Sequence, residues 1–190
     1  MPQFDLRGIQ IAKYVNTNGV ISYTDRQSAG DAMTANMELR YAEGRLYAES
    51  TLAEYMRKAT GGSISLGVKY IPNAAQKIMF GSREKQRTVG QTQITGLVLG
   101  GKTTSAYVGV GMYAPDMIDG VEKFTAVKIA KALFGPPSMA LQTAGENIVF
   151  NTPTTTGEFL ADDSTDQDMI EVAICDSEED AIAWVTAALT

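Results

Sequence analysis

The chain has 190 residues, 44% of them hydrophobic and 20% charged, and its 16 basic and 22 acidic side chains give a net charge of −6. This length and composition predict one globular domain spanning residues 1–190. The chain has no histidine and one cysteine, which excludes His-dependent triads, His metal sites, an internal disulfide and a Cys-based metal cage. No apolar run reaches the ~20 residues of a membrane helix, and MPQFDLRG lacks the features of a secretory signal, so we expect no membrane partner.

The first part of the chain predicts a loop followed by strands. Residues 16–35 are polar and predict a long loop, the kind that in a compact domain usually has a function. Residues 37–40 and 46–50 predict two strands joined around Glu43-Gly44. Residues 63–70 (SISLGVKY) alternate strictly, which is typical of a half-buried strand, and Gly61-Gly62 before them predicts a tight turn.

A short helix and three more strands follow. Residues 72–80 (PNAAQKIMF) begin with proline and end before Gly81, the usual signals of a helix start and stop. Residues 82–92 predict a second long loop. Residues 103–112, 121–132 and 147–152 predict strands, because their sequences alternate or are rich in residues that favour strands.

The last part predicts a loop at residues 160–167 and a helix at residues 177–189. Ser177 is the expected N-cap, and the three acids after it suit the positive end of the helix dipole. The apolar side chains fall mostly on one face, so this helix is expected to dock on the sheet. The chain therefore predicts a mainly β domain with one short internal helix and a C-terminal helix.

Residues 96–103 (GLVLGGKT) match the P-loop pattern G-x-x-x-x-G-K-[ST], and residues 172–176 (VAICD) could supply a magnesium-binding aspartate. A P-loop needs a helix after the loop, because the helix N-terminus binds the phosphates. The residues after Lys102 predict a strand instead. We interpret residues 100–102 as a β-hairpin turn, and nucleotide binding remains a remote alternative. Residues 109–114 (GVGMYA) match a dinucleotide pattern, but Pro115 follows where a helix is needed.

Two charged clusters have ordinary interpretations. Asp162, Asp163, Asp166 and Asp168 lack the spacing, glycine and glutamate of a calcium loop, so a solvated loop is expected. The basic residues near position 85 could contact phosphate, but no aromatic side chains are interleaved with them. We expect no catalytic residue, no metal and no cofactor.

Charge is divided unevenly along the chain. All 16 basic residues and 11 of the acids lie in residues 1–131, giving +5, and the other 11 acids lie in residues 132–190. One interpretation is a solvated acidic surface. The other is a dipolar subunit suited to head-to-tail contact with copies of itself.

Two stretches carry a family resemblance. Residues 37–71 contain LYAE, a variable stretch and the strand SISLGV. Residues 133–160 (LFGPPSMALQTAGENIVFNTPTTTGEFL) hold no nucleophile with a base. They contain LFGPP, a polar loop and GENIVFNTPTTTGEF, and an acidic loop follows them. In this order they resemble the early hairpin region and the C-terminal half of the major tail tube proteins of long, non-contractile-tailed bacteriophages (siphophages). The resemblance covers residues 37–190.

The resemblance implies a structural virion protein with a rolled β-sandwich or barrel. Six copies would form a ring, and rings stacked head-to-tail would form the hollow tail tube that conducts DNA during ejection. The implied partners are other copies, the tape measure protein, passing DNA without sequence specificity, and the tail terminator and tail tip proteins. The implied location is the virion tail, after the host cytoplasm. The family has no catalytic residues to transfer. A tube subunit of a type VI-like secretion system is the alternative.

Pattern also suggests contact residues. The candidates for a lumen-facing or inter-subunit strand face are Glu54, Ser63, Ser65 and Lys69. The candidates for ring-to-ring contact, in the loop at residues 16–35, are Tyr23, Asp25, Arg26 and Asp31.

Overall fold

The structure is a computed structural model that describes residues 5–138 and 152–190. Within these residues the strands and helices run in the order β1 (Arg7–Thr17), β2 (Val20–Ser28), β3 (Ala32–Ala48), β4 (Thr51–Val68), α1 (Asn73–Phe80), β5 (Arg83–Val89), β6 (Thr92–Val98), β7 (Val108–Ile118), β8 (Val121–Phe134), β9 (Thr154–Leu160), β10 (Ile170–Cys175) and α2 (Glu178–Ala188).

Eight strands form one antiparallel sheet in the order β2-β1-β7-β8-β9-β4-β3, with β10 also paired to β8. The long strand β8 has two partners on one side: its residues 124–129 pair with β10 and its residues 131–134 pair with β9. The end strands β2 and β3 do not pair with each other in the described residues, so the sheet is not closed into a barrel. The predicted mainly β fold with one internal and one C-terminal helix is confirmed.

The main core lies on one face of this sheet. It combines side chains from β1 and β4, which are separated by three strands, so the sheet curves around it. Helix α1 adds Ala75, Met79 and Phe80, all 0–1% exposed. The alternating strands supply the rest, among them Ile9, Ile11, Ile64, Leu66, Val68, Val108, Val110 and Ile129.

Helix α2 covers the opposite face of β7 and β8. Its buried residues Ala181, Val185 and Leu189 form a second cluster with Tyr23 and Tyr113. Two glycines make this approach possible, since a Cβ on Gly109 would lie 2.4 Å from the Tyr23 ring and one on Gly111 2.6 Å from Val185. The alternating glycines that resemble a dinucleotide motif are therefore packing residues.

Both predicted helices are confirmed. Pro72 precedes α1 as its N-cap residue, and Gly81 ends the helix with φ +64°. Ser177 caps α2, and its hydroxyl accepts a hydrogen bond from the Asp180 amide at 3.1 Å.

Several predicted turns and loops were wrong. β3 runs straight through Glu43-Gly44, and the chain turns instead at Glu49-Ser50, both of which have positive φ. Gly61-Gly62 lies inside β4 at a bulge. The predicted loops at residues 16–35 and 82–92 are largely β1, β2 and β3 in the first case and the β5–β6 hairpin in the second. The strand predicted at residues 147–152 lies outside the described residues except for Thr152.

Candidate interaction surfaces

The most exposed part of the molecule is the outer half of the β3–β4 hairpin, residues 41–60, which we call the arm. β9 pairs with β4 only between Gly62 and Gly67, whereas β3 and β4 stay paired to Ala48↔Thr51. At a rise of ~3.3 Å per residue, the arm extends ~30 Å from the sheet. Every arm residue except Ala59 is exposed. A two-stranded ribbon is marginal in water, so an arm of this length needs added support.

One face of the arm supplies part of that support itself. The Arg57 guanidinium lies 3.6 Å from the centroid of the Tyr41 ring, and that of Arg45 lies 5.7 Å from the Tyr55 ring. Glu43 lies between the two arginines, within 3.4 Å of Arg45 and 3.6 Å of Arg57. A hydrogen bond to Glu43 raises the pKa of Tyr55. These cross-strand contacts stiffen the ribbon.

The other face of the arm is uncovered, and its aliphatic side chains are interspersed with the charged Glu54 and Lys58, which pair with Leu46 and Ala42 across the strands. It carries Leu46, 58% exposed, and Met56, 74% exposed. The small residues Ala42 and Gly44 lie on the same face by strand alternation. The outer edges of both arm strands also lack a partner strand in the described residues. Open edges and exposed apolar side chains together are typical of surfaces that another chain covers.

The base of the arm is fixed to the sheet. The pairing of β3 and β4 shifts register between Arg40 and Tyr41, and Gly61 has φ +135°, so the arm begins at a bulge. Arg40 bonds Glu158 of β9 at 2.8 Å. The Thr60 hydroxyl donates to the Arg40 carbonyl at 3.3 Å. The direction in which the arm leaves the sheet is therefore set by local contacts.

A second hairpin, β5–β6, forms its own two-stranded sheet. It is held to α1 by an ion pair between Lys77 and Glu84 at 3.1 Å. Arg83, Lys85 and Arg87 alternate along β5, so they share one face, and all three are exposed. We call this the basic face.

Ion pairs within the fold neutralise part of the uneven charge. Five acids of residues 152–190 are bonded to basic residues from earlier in the chain, namely Glu158 to Arg40, Asp163 to Lys131, Glu171 to Lys128, Asp176 to Lys123 and Glu178 to Arg7. The Arg7 bond, together with one from the Tyr113 hydroxyl at 3.0 Å, lowers the pKa of Glu178. Much of the uneven charge is therefore paired within the subunit, and fewer charges remain free at its surface.

The candidates for a polar strand face are not all neighbours. Ser63 and Ser65 are half-buried in β4 between β3 and β9, on the side opposite the core. Lys69 lies past the end of β4, 3.7 Å from Asp31. Glu54 lies in the arm opposite Leu46, ~30 Å along β4 from Ser63.

The candidates for ring-to-ring contact lie mostly on β2 instead of a loop. Tyr23 does not lie at the surface, as a contact between rings would require. It is buried under α2, and its hydroxyl donates to the Ala130 carbonyl at 2.9 Å. Desolvation in that position raises the pKa of Tyr23. Asp25 and Arg26 are exposed on β2, and Asp31 lies directly before the first residue of β3.

The segment that matches the P-loop pattern, residues 96–103, ends in a turn, but the turn does not join two paired strands of a hairpin. The Thr103 amide donates to the Gly100 carbonyl at 2.8 Å. The turn connects β6 of the small sheet to β7 of the large one, and no helix lies between them. Lys102 therefore does not precede a helix N-terminus.

The arm's apolar residues and β10 were not predicted from the sequence. Apolar and polar side chains alternate from Met33 to Tyr41, but the pattern breaks at Ala42, and the Glu43-Gly44 pair was interpreted as a turn. β10 exposes Val172 and Ile174 beside its unpaired edge. The described residues contain no group of three or more potential metal-ligating side chains. Within the same ranges, no helix has the length and hydropathy to cross a membrane.

Comparison with known proteins gave no match, either among models of protein families or among curated protein sequences.

Proposed function

We propose that the protein is a tail tube subunit of a siphophage, whose copies form hexameric rings that stack into a DNA-conducting tube. The observation that supports this most is the arm. It extends ~30 Å from the sheet, exposes Leu46 and Met56, and leaves two strand edges open. Such a ribbon gains stability when a neighbouring copy covers it.

Other features support the same proposal. The sheet is open, so its end strands can pair with strands of adjacent copies in a ring. The net charge of −6 suits a lumen through which DNA must slide, because lysine and arginine contacts would hold phosphate by counterion release. The proposed partners are other copies, the tape measure protein, the passing DNA, and the proteins at the two ends of the tail.

The test is electron microscopy and sedimentation velocity of the purified protein over a range of concentrations. We expect rings or tubes from the unaltered chain. The variant Leu46→Lys/Met56→Lys should stay monomeric with an unchanged thermal unfolding midpoint, because both side chains are exposed in the subunit and a lysine at position 46 lies opposite Glu54. The control Val121→Lys/Ile182→Lys adds the same charge at exposed apolar positions outside the arm and away from the end strands, and it should assemble.

A chain that stays monomeric at every concentration would overturn the proposal. The secretion-tube alternative is separated by gene neighbourhood: tape-measure and tail-completion genes accompany a siphophage tube, and contractile-sheath and ATPase genes accompany a type VI-like tube.

A further inference from the structure

The positive charges left over after internal pairing are concentrated at one place. In the described residues, seven lysines and arginines have no carboxylate within 4.0 Å. Three of them form the basic face of the β5–β6 hairpin, and Lys102 follows in the next turn. Ile94 lies directly opposite Arg87, so this face also carries an exposed apolar side chain.

Of the twelve acids in the described residues that have no lysine or arginine within 4.0 Å, four lie in two pairs at the two ends of β10. Asp166 and Asp168 are exposed in the loop before this strand, and Glu179 and Asp180 are exposed in the first turn of α2 after it. We call these four residues with β10 the acidic edge. No cation within the described subunit lies within 4.0 Å of any of the four.

The acidic edge is built by specific contacts. Asp162 organises the loop by accepting hydrogen bonds from the Ser164 amide at 3.1 Å and the Asp168 amide at 3.0 Å. Between the two acidic pairs, Val172 and Ile174 are 58% and 55% exposed, and β10 has β8 as its only strand partner in the described part. The edge thus offers charge at both ends of β10, and apolar side chains on the face of the strand that points away from α2.

We propose that the basic face of the β5–β6 hairpin in one copy binds the acidic edge of a second copy. The basic side chains would meet the acids, and Ile94 would meet Val172 and Ile174. Because the two surfaces are different, the contact is head-to-tail and can repeat without closing on itself. The inference rests on the proposed function, since it assigns to the tube subunit the contact that gives the tube its direction.

The contact depends on charge and is weakened by salt. Exposed ion pairs are individually weak and screened at high ionic strength, so several are needed in register. Charge reversal of one surface should therefore abolish the contact, and reversal of both should restore it.

The experiment uses two full-length variants. The first is Arg83→Glu/Lys85→Glu/Arg87→Glu, and the second is Asp166→Lys/Asp168→Lys/Glu179→Lys. All six positions are exposed, so each variant should fold, with only the small loss of stability that a lysine at position 179 causes at the positive end of the α2 dipole. The control Asp119→Lys/Glu122→Lys reverses exposed acids in the β7–β8 turn.

Sedimentation velocity at low salt is the readout. Each variant alone should associate at least about tenfold more weakly than the unaltered chain, and an equimolar mixture should regain association, because each reversed surface then meets its complement. About 0.5 M salt should weaken association of both the unaltered chain and the mixture. Tubes formed equally well by both variants alone would overturn the contact but leave the proposed function intact.

A salt-sensitive association that the swaps break and restore, without rings or tubes, would support the contact and overturn the proposed function. A chain that never associates overturns both. As an independent check, Cys175→Ser/Arg87→Cys and Cys175→Ser/Asp166→Cys, carrying different tags, should form a mixed disulfide on oxidation, and failure to cross-link while association persists would place the contact elsewhere.

Discussion

Lys131 bonds both carboxylate oxygens of Asp163, with its Nζ 2.9 Å from Oδ1 and 2.8 Å from Oδ2. The same ammonium lies 5.1 Å from the centroid of the Tyr14 ring and 4.9 Å from that of Tyr107. The Tyr14 hydroxyl donates to Asp163 at 2.9 Å, and the Asn16 amide donates at 3.2 Å. One carboxylate thus joins the loop after β9 to β8 and β1.

These bonds hold the pKa of Asp163 at about 2, below its ordinary value of 3.8, mainly through Lys131. A carboxyl whose pKa is lowered by folding stabilises the folded state above its unfolded pKa and loses that contribution as the pH falls through the folded pKa. We expect Asp163→Asn to be less stable than the unaltered chain above pH ~4, with the difference shrinking towards pH ~2. Urea unfolding across that range measures it.

The control for this effect is Asp166→Asn, which alters an exposed acid of the same loop that has no cation within 4.0 Å in the described residues. It should show no comparable pH-dependent difference. A stability gap for Asp163→Asn that stays constant down to pH ~2 would contradict the assigned pKa.

Gly62 should not tolerate a side chain. A Cβ there would lie 2.2 Å from the Phe159 ring and 2.3 Å from the Glu38 carbonyl oxygen. We expect Gly62→Ala to lower the free energy of unfolding by about 2–3 kcal/mol, as overpacked sites do. Gly44→Ala is the matched control in the arm, where no atom lies within 4 Å of the added Cβ. Equal thermal unfolding of the two variants would rule out this packing at the base of the arm.

Tyr23 should be a stability residue and not a contact residue. Tyr23→Phe leaves the buried Ala130 carbonyl without the hydroxyl that donates to it, so we expect a loss of about 1–2 kcal/mol in unfolding free energy. Tyr47→Phe, at a 61% exposed position in the arm, is the control and should cost little. Chemical denaturation gives both values. Assembly lost in Tyr23→Phe without any loss of stability would return this residue to the interface.

The sequence predicted those elements whose evidence is local. The cap at Ser177, the stop at Gly81 and the alternation around Val108 and Val110 all act within a few residues, and the structure has a helix or strand at each. The arm was missed because its turn uses Glu49 and Ser50, which have positive φ without being glycine, while the glycines at positions 44, 61 and 62, which suggested turns, lie inside strands. Tertiary packing accounts for Gly62: without a Cβ at this position, the Phe159 ring can pack against the backbone of β4.

The candidate contact surfaces were harder to predict from the sequence. Alternation showed that Ser63 and Ser65 share a face, but it could not show that β9 lies beside them. Nor could charge counting show which acids are neutralised, since the Arg7–Glu178 pair joins residues 171 positions apart. The leftover charges on β5 and around β10 become visible only when those pairs are removed.

The internal ion pairs also order events during synthesis. Arg7 and Lys123 are synthesised before their ion-pair partners Glu178 and Asp176. β8 is likewise synthesised before the strands β9 and β10 that pair with it. When residues 1–131 have been synthesised, the nascent chain has a net charge of +5 and an incomplete sheet. The net charge falls to −6 only as the following 59 residues are added. The basic hairpin is therefore synthesised before the acids proposed to bind it, so in the proposed contact a nascent chain would present its basic face before its acidic edge.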